Sequence, residues 1–207
     1  MNSSSASTAQ PNFPLIYLAS ASPRRHELLK QINIEHEILR LPEVEGEDEP
    51  RLDNEPAAEY VKRTAFEKAQ RAVDYITQQE LLKRPILSAD TAVIFDNLVL
   101  GKPQDEIDVA QTLSILSGKQ HEVHTAIVLA HHGEFYQDVC VSKVYMRTIT
   151  AREIAMYVAS GQAQGKAGAY AIQGLASIFI EKIEGSYSGI MGLPLFETWR
   201  LLQQLLK

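Results

Sequence analysis

The chain has 207 residues with 20 Lys+Arg against 26 Asp+Glu, a formal net charge of −6, and 45% of its residues are hydrophobic and 22% charged. This is an ordinary globular composition, long enough for one large domain, and its acidic balance argues against coating nucleic acid or an anionic membrane, which takes an excess of Lys and Arg. One cysteine excludes an intramolecular disulfide and a Cys-based zinc site, and no apolar run is long enough to span a bilayer.

In chain order, Met1–Pro11 is polar, lacks the basic and apolar regions of a secretory signal, and is expected to be a disordered tail. Leu15–Ala19 reads as a short buried strand. Ser22 and Pro23 then suit a helix start, and Leu28, Leu29 and Ile32 share one face of the helix that follows. Residues 42–56 are acidic and punctuated by proline, and predict a loop. Pro56 to about Tyr75 has helical spacing, and Pro85–Phe95 is the strongest strand. Asp96-Asn97 predicts a tight hairpin into the return strand LVL. A helix over EIDVAQTLSIL is expected to stop at Gly118. HEVHTAIVLA and EFYQDVCVSKVYM follow as strands joined by a His131-His132-Gly133 corner, Thr150–Glu153 is a capping box, and LFETWRLLQQLLK is an amphipathic helix. That last helix either caps the sheet or pairs with a second subunit. The interleaving without an internal repeat predicts an α/β fold with a mixed sheet.

Neither GxxxxGK[ST] nor GxGxxG occurs, so phosphate handling would need another design. Four clusters carry candidate chemistry. Ser22-Pro23-Arg24-Arg25 sits where a strand gives way to a helix: free N–H groups and guanidiniums there suit a polyphosphate, although Ser-Pro could simply cap the helix. Asp90 and Thr91 lie inside the apolar run PILSADTAVIF, and a carboxylate in a buried strand is costly unless it is paired or binds a metal. Lys102, just past the hairpin, would return near that strand. In residues 165–194 glycines crowd around Lys166, Tyr170, Gln173 and Ser186, which suits either close approach to a ligand or a set of tight turns; Gln173 has the donor and acceptor to read a nucleobase edge. His121, His124, His131 and His132 are read as surface residues, Cys140 as a small core or strand residue, and Glu43–Glu49 as mostly solvated.

Taken together, LASASPRRHELL, YVKRTAFEKA, SADTAVIF with LGKP, and KAGAYAIQG through GSYSGIMGLPL resemble the Maf family of nucleoside triphosphate pyrophosphatases, from about Ile16 to the C-terminus. The resemblance implies an α/β fold like that of the inosine triphosphate pyrophosphatases, a mixed elongated sheet flanked by helices with two lobes and a central cleft, formed by residues 12–207 as a single domain. It implies hydrolysis of a nucleoside triphosphate to monophosphate and pyrophosphate with a divalent cation, Mg²⁺ or Mn²⁺. By position Asp90 matches a proton acceptor; Arg24, Thr91 and Gln173 match residues tied to substrate choice; Ser22, Arg25, Lys68 and Lys102 match the phosphate site. Glu45, with Glu47 as the alternative, matches a further active-site carboxylate, and Asp90 and Glu45 are the implied metal ligands. The Gln173 form resembles the branch acting on dTTP and UTP; a 7-methyl-GTP pyrophosphatase and a non-catalytic regulator of septum formation are the alternatives. Gln162 and Gly165 stand where the family often has carboxylates. The implied partner is a small nucleotide in the cytoplasm, not a nucleic-acid polymer or a membrane, with a homodimer as the candidate assembly.

Overall fold

The computed structural model describes residues 11–42 and 50–207, so the tail expected at 1–11 and the acidic loop expected at 42–56 fall partly outside the described residues. The first strand, β1 (Ile16–Leu18), is wholly buried and leads into α1 (Pro23–Gln31), which has proline in its first turn. A strand that the sequence reading did not separate, β2 (His36–Ile38), pairs parallel to β1. The long α2 (Ala57–Gln78) runs three residues beyond its expected end and buries Val61, Thr64, Ala65, Ala69 and Ala72 on one face.

β3 (Ile86–Phe95) turns through Asp96 and Asn97, both at positive φ, into β4 (Leu98–Leu100), the tight hairpin that this residue pair predicts. α3 (Glu106–Leu116) is capped by the Asp105 side chain, which accepts from the Asp108 N–H, and the chain leaves it through Gly118 at φ +69°. β5 (Gln120–His131) and β6 (Glu134–Met146) form the long antiparallel pair expected of them. α4 (Ala151–Ala159) begins with the Thr150/Glu153 capping box, both halves of which are made. Within the glycine-rich stretch, 3₁₀ turns at Ala167–Ala169 and Leu175–Phe179 lead to β7 (Ile180–Glu184), α5 (Tyr187–Met191) and α6 (Leu195–Leu202).

The seven-stranded sheet runs β2-β1-β3-β5-β6-β7, with β4 also on β3. β1 is parallel to both neighbours and the remaining pairs are antiparallel, the mixed sheet flanked by helices that the sequence predicts. Side chains alternate faces along β3. Leu87 and Ala89 join a cluster with Leu28, Leu29, Leu201 and Leu202 under α1 and α6, whereas Ala92 and Ile94 pack against Val61, Ala65 and Ala69 of α2. α6 therefore caps the sheet. Because β5 is covered on both faces, His121 and His124 are buried, contrary to the surface placement expected of them. His131 and His132 do form an open corner, and Cys140 is buried in β6 as expected.

Beyond α4 the chain packs tightly against the sheet at Gly168, where φ is +65° and a Cβ would lie 2.8 Å from the Val93 methyls. Gly168→Ala adds backbone strain and overpacking, and is expected to lower unfolding free energy by about 3 kcal/mol. Gly133→Ala, also at positive φ but with open space around it, is expected to cost only about 1 kcal/mol. Urea denaturation of the two variants separates the steric component from the backbone component.

Candidate active site

The pairing of β1 on β3 reaches Leu87, and that of β4 begins at Val93. Between these residues β3 has β5 on one side and, among the described residues, no strand on the other. The sheet is notched there, and Asp90 and Thr91 are the two half-exposed residues of an otherwise buried stretch. Alternation sends them to opposite faces, so a ligand lying in the notch reaches both.

On the α2 face, Asp90 is held at both oxygens. Thr64 donates its hydroxyl to Oδ2 at 2.7 Å, and Lys68, one helical turn on, pairs with Oδ1. Ser88 on the same face donates to the Ala65 carbonyl at 2.9 Å and ties strand to helix. The Asp90 side chain is 15% exposed, which leaves it reachable from the notch. Thr64 was not singled out in the sequence: a threonine in a helix that also bonds its own Val61 carbonyl carries no signature. Only the i, i+4 spacing to Lys68 could have pointed to it.

On the opposite face, Arg25 spans three elements. Its Nε donates to the Gly192 carbonyl at 2.7 Å, Nη1 to Ser20 Oγ at 3.2 Å and Nη2 to Thr91 Oγ1 at 3.3 Å. Desolvation lowers its pKa; Asp90 opposes that and Arg24 adds to it. Gly192, at φ +111°, closes the turn between α5 and α6 so that its carbonyl meets this guanidinium. Thr91 pairs directly with Thr125 of β5, with the hydroxyls 2.9 Å apart.

Arg24, half-buried, has no ion-pair partner among the described residues. Desolvation lowers its pKa, and Tyr157 is its electrostatic neighbour. Lys166 is likewise lowered, first by desolvation and then by Arg24. Two cations facing each other in this way suit an anion. Ser22 stands at the N-cap of α1 without a capping side-chain bond. Lys102 is exposed just past β4, and the neighbouring Gly101 carbonyl accepts the Gly168 N–H at 3.0 Å, which brings it beside the Lys166–Gly168 segment. Gln173 is exposed on the following turn and makes no hydrogen bond to Asp90, Thr91 or Arg25. Gln162, at one of the positions where a carboxylate was expected, accepts the Leu175 N–H at 2.8 Å. Glu45 and Glu47 lie outside the described residues.

The glycine-rich segment is anchored from within: His121 Nε2 and Tyr170 Oη lie 2.8 Å apart and both residues are buried. Burial depresses the His121 pKa to about 4. The unfolded chain then binds a proton that the folded chain refuses, so between pH 6.5 and about 4 stability falls as pH falls, by about 3 kcal/mol in all. His121→Asn is expected to flatten this slope in urea titrations across that range.

The family model of the Maf-like protein matches residues 15–205. The chain is 54% identical over 191 residues to a dTTP/UTP pyrophosphatase of Bordetella avium (strain 197N), covering 92% of this chain and 95% of that one. It is 52% identical over 190 residues to the dTTP/UTP pyrophosphatase of Bordetella pertussis, covering 92% of each chain, and 46% identical over 193 residues to that of Nitrosomonas europaea, covering 91% and 93%.

Proposed function

The chain belongs to the Maf-like protein family, and we propose on that premise that it is a dTTP/UTP pyrophosphatase, releasing pyrophosphate and leaving the nucleoside monophosphate. The observation that carries this reading is the Asp90 carboxylate, held by Thr64 and Lys68 and open to a notch whose other face presents Thr91 and Arg25. Relatives 46–54% identical over most of their length bear the name of that activity. Neither a 7-methyl-GTP pyrophosphatase nor a non-catalytic regulator is favoured. The reading takes residues 12–207 as one domain of two lobes around the cleft, in a cytoplasmic enzyme for which a homodimer is the assembly to look for.

In the reaction, water attacks the α-phosphorus while Asp90 accepts its proton. The bond from the α-phosphorus to the bridging oxygen breaks, and pyrophosphate leaves with the electron pair. Lys68 holds Asp90 in place with one N–H and keeps the others for phosphate oxygens. Arg24, Arg25 and Lys102, with Ser22 at the start of α1, complete the phosphate grip, and Gln173 and Thr91 read the base.

Among the described residues no group of three or more His, Cys, Asp or Glu could hold a metal. Asp90 nevertheless keeps a free lone pair on each oxygen, a donor set that fits Mg²⁺ or Mn²⁺ carried in on the nucleotide, with Glu45 as the second carboxylate of the reading. Such a cation would offset negative charge on the phosphates.

Asp90→Asn preserves shape and an acceptor for Thr64 but removes the base. Turnover of dTTP and UTP, followed as pyrophosphate released, is expected to fall by about 10²- to 10⁴-fold with the melting temperature little changed. Near wild-type turnover in this variant would sink the assignment, and release of inorganic phosphate in place of pyrophosphate would overturn the bond assignment.

A further inference from the structure

Hydrogen positions on the Thr91 face follow from counting. A hydroxyl has one hydrogen and two lone pairs, and a carbonyl or carboxylate oxygen can only accept. Thr125 is fully buried, and its hydroxyl lies 2.8 Å from the Gly189 carbonyl, so its single hydrogen is spent there. The 2.9 Å contact between Thr125 and Thr91 then has one direction: Thr91 donates and Thr125 accepts. One lone pair of Thr91 Oγ1 takes the Arg25 N–H. What remains toward the notch is a single lone pair.

Phosphate oxygens at neutral pH have little to donate, so Thr91 in this state is a poor phosphate ligand and a good acceptor for an N–H or O–H. Of the groups on a nucleotide, the sugar 3′-hydroxyl is common to dTTP, UTP and CTP and discriminates nothing. The N3–H of thymine and uracil is shared by dTTP and UTP, and cytosine has a lone pair at that position. We propose that Thr125 is a positioning residue that fixes Thr91 as a hydrogen-bond acceptor and thereby selects bases with an imide N–H over cytosine. This deepens the dTTP/UTP reading and rests on it for the identity of the base.

The arrangement is built to hold one polarity. Thr125 and Thr91 are directly opposed across β3 and β5, which fixes their separation, and the Gly189 carbonyl comes from α5 on the same face. Gly189 also accepts the Gly192 N–H at 2.9 Å, so removing the Thr125 hydroxyl leaves that carbonyl satisfied. Valine is close to isosteric with threonine, so Thr125→Val is expected to fold. It frees the Thr91 hydrogen to turn into the notch, where it would suit the cytosine lone pair and repel an imide N–H.

The test measures kcat/KM for dTTP, UTP and CTP, with calorimetric Kd values for dTTP and CTP, in wild type, Thr125→Val and Thr125→Ser. Thr125→Val is expected to cut the dTTP-to-CTP ratio by about tenfold to a hundredfold, through KM rather than kcat, and Thr125→Ser to restore it. A ratio unmoved in Thr125→Val, or lost equally in Thr125→Ser, overturns the proposal. A fall in kcat alone for all three nucleotides would also overturn it, because it would reduce Thr125 to general support. Failure of the broader reading looks different: wild type would then release no pyrophosphate from dTTP or UTP. The Kd ratio still decides the role of Thr125 in that case, supporting it if Thr125→Val shifts the ratio toward CTP and overturning it if the ratio is unchanged.

Discussion

The candidate site exists because β3 is flanked discontinuously. β1 ends its pairing at Leu87 and β4 takes up the same edge only at Val93. A central strand that is otherwise sealed on both sides is thus opened where Asp90 and Thr91 sit. An ionised carboxylate within a continuous sheet would face a desolvation cost of several kcal/mol, and its partners would have to offset all of it. In the notch the same carboxylate is satisfied by Thr64 and Lys68 from one side and remains reachable from the other. The positions of α1, α2 and the α5–α6 turn can each be understood as lining or bracing this gap.

The two faces of β3 divide the work. The α2 face carries Asp90, and its registry is secured by Ser88 on Ala65 as well as by the Thr64 and Lys68 contacts. The opposite face carries Thr91 in a polar chain that runs from Arg25 through Thr91 and Thr125 to Gly189. Charge follows the same division of scale. The chain as a whole is acidic, but Arg24 helps to lower the Lys166 pKa, and neither cation has an ion-pair partner among the described residues. A macromolecular polyanion would meet the outer surface, whereas a small polyphosphate would meet these cations.

Local chemistry made much of the fold legible in the sequence. Asp96-Asn97 specified a hairpin because both residues tolerate positive φ, Thr150 and Glu153 spelled out a capping box, and the apolar run PILSADTAVIF placed Asp90 inside a buried strand. What was not legible has equally physical reasons. β2 and β7 are short and partly exposed, so they lack a clear apolar run. His121 and His124 looked like surface residues because sequence alone does not reveal that β5 is covered on both faces. Thr64 and Thr125 were missed because a threonine acquires its role from what lies across from it, here α2 against β3 and β5 against β3. Asp90 announced itself by being out of place; its partners are residues that would be at home anywhere.

Arg25 shows how one residue can serve structure and ligand together. Its Nε hydrogen and one hydrogen on each terminal nitrogen are committed to Gly192, Thr91 and Ser20. One hydrogen on each terminal nitrogen is left for a ligand. A guanidinium tethered at three points, to the β1–α1 connection, β3 and the α5–α6 turn, has already lost its rotamer freedom, and desolvation is already imposed on it, lowering its pKa. An incoming phosphate therefore meets a donor whose ordering was completed by folding, which raises the share of interaction energy that appears as affinity and orientation. The same tethers explain why lysine would be a poor substitute: a point charge on a flexible stem can neutralise a phosphate but cannot hold Thr91 and the Gly192 turn in register while doing so.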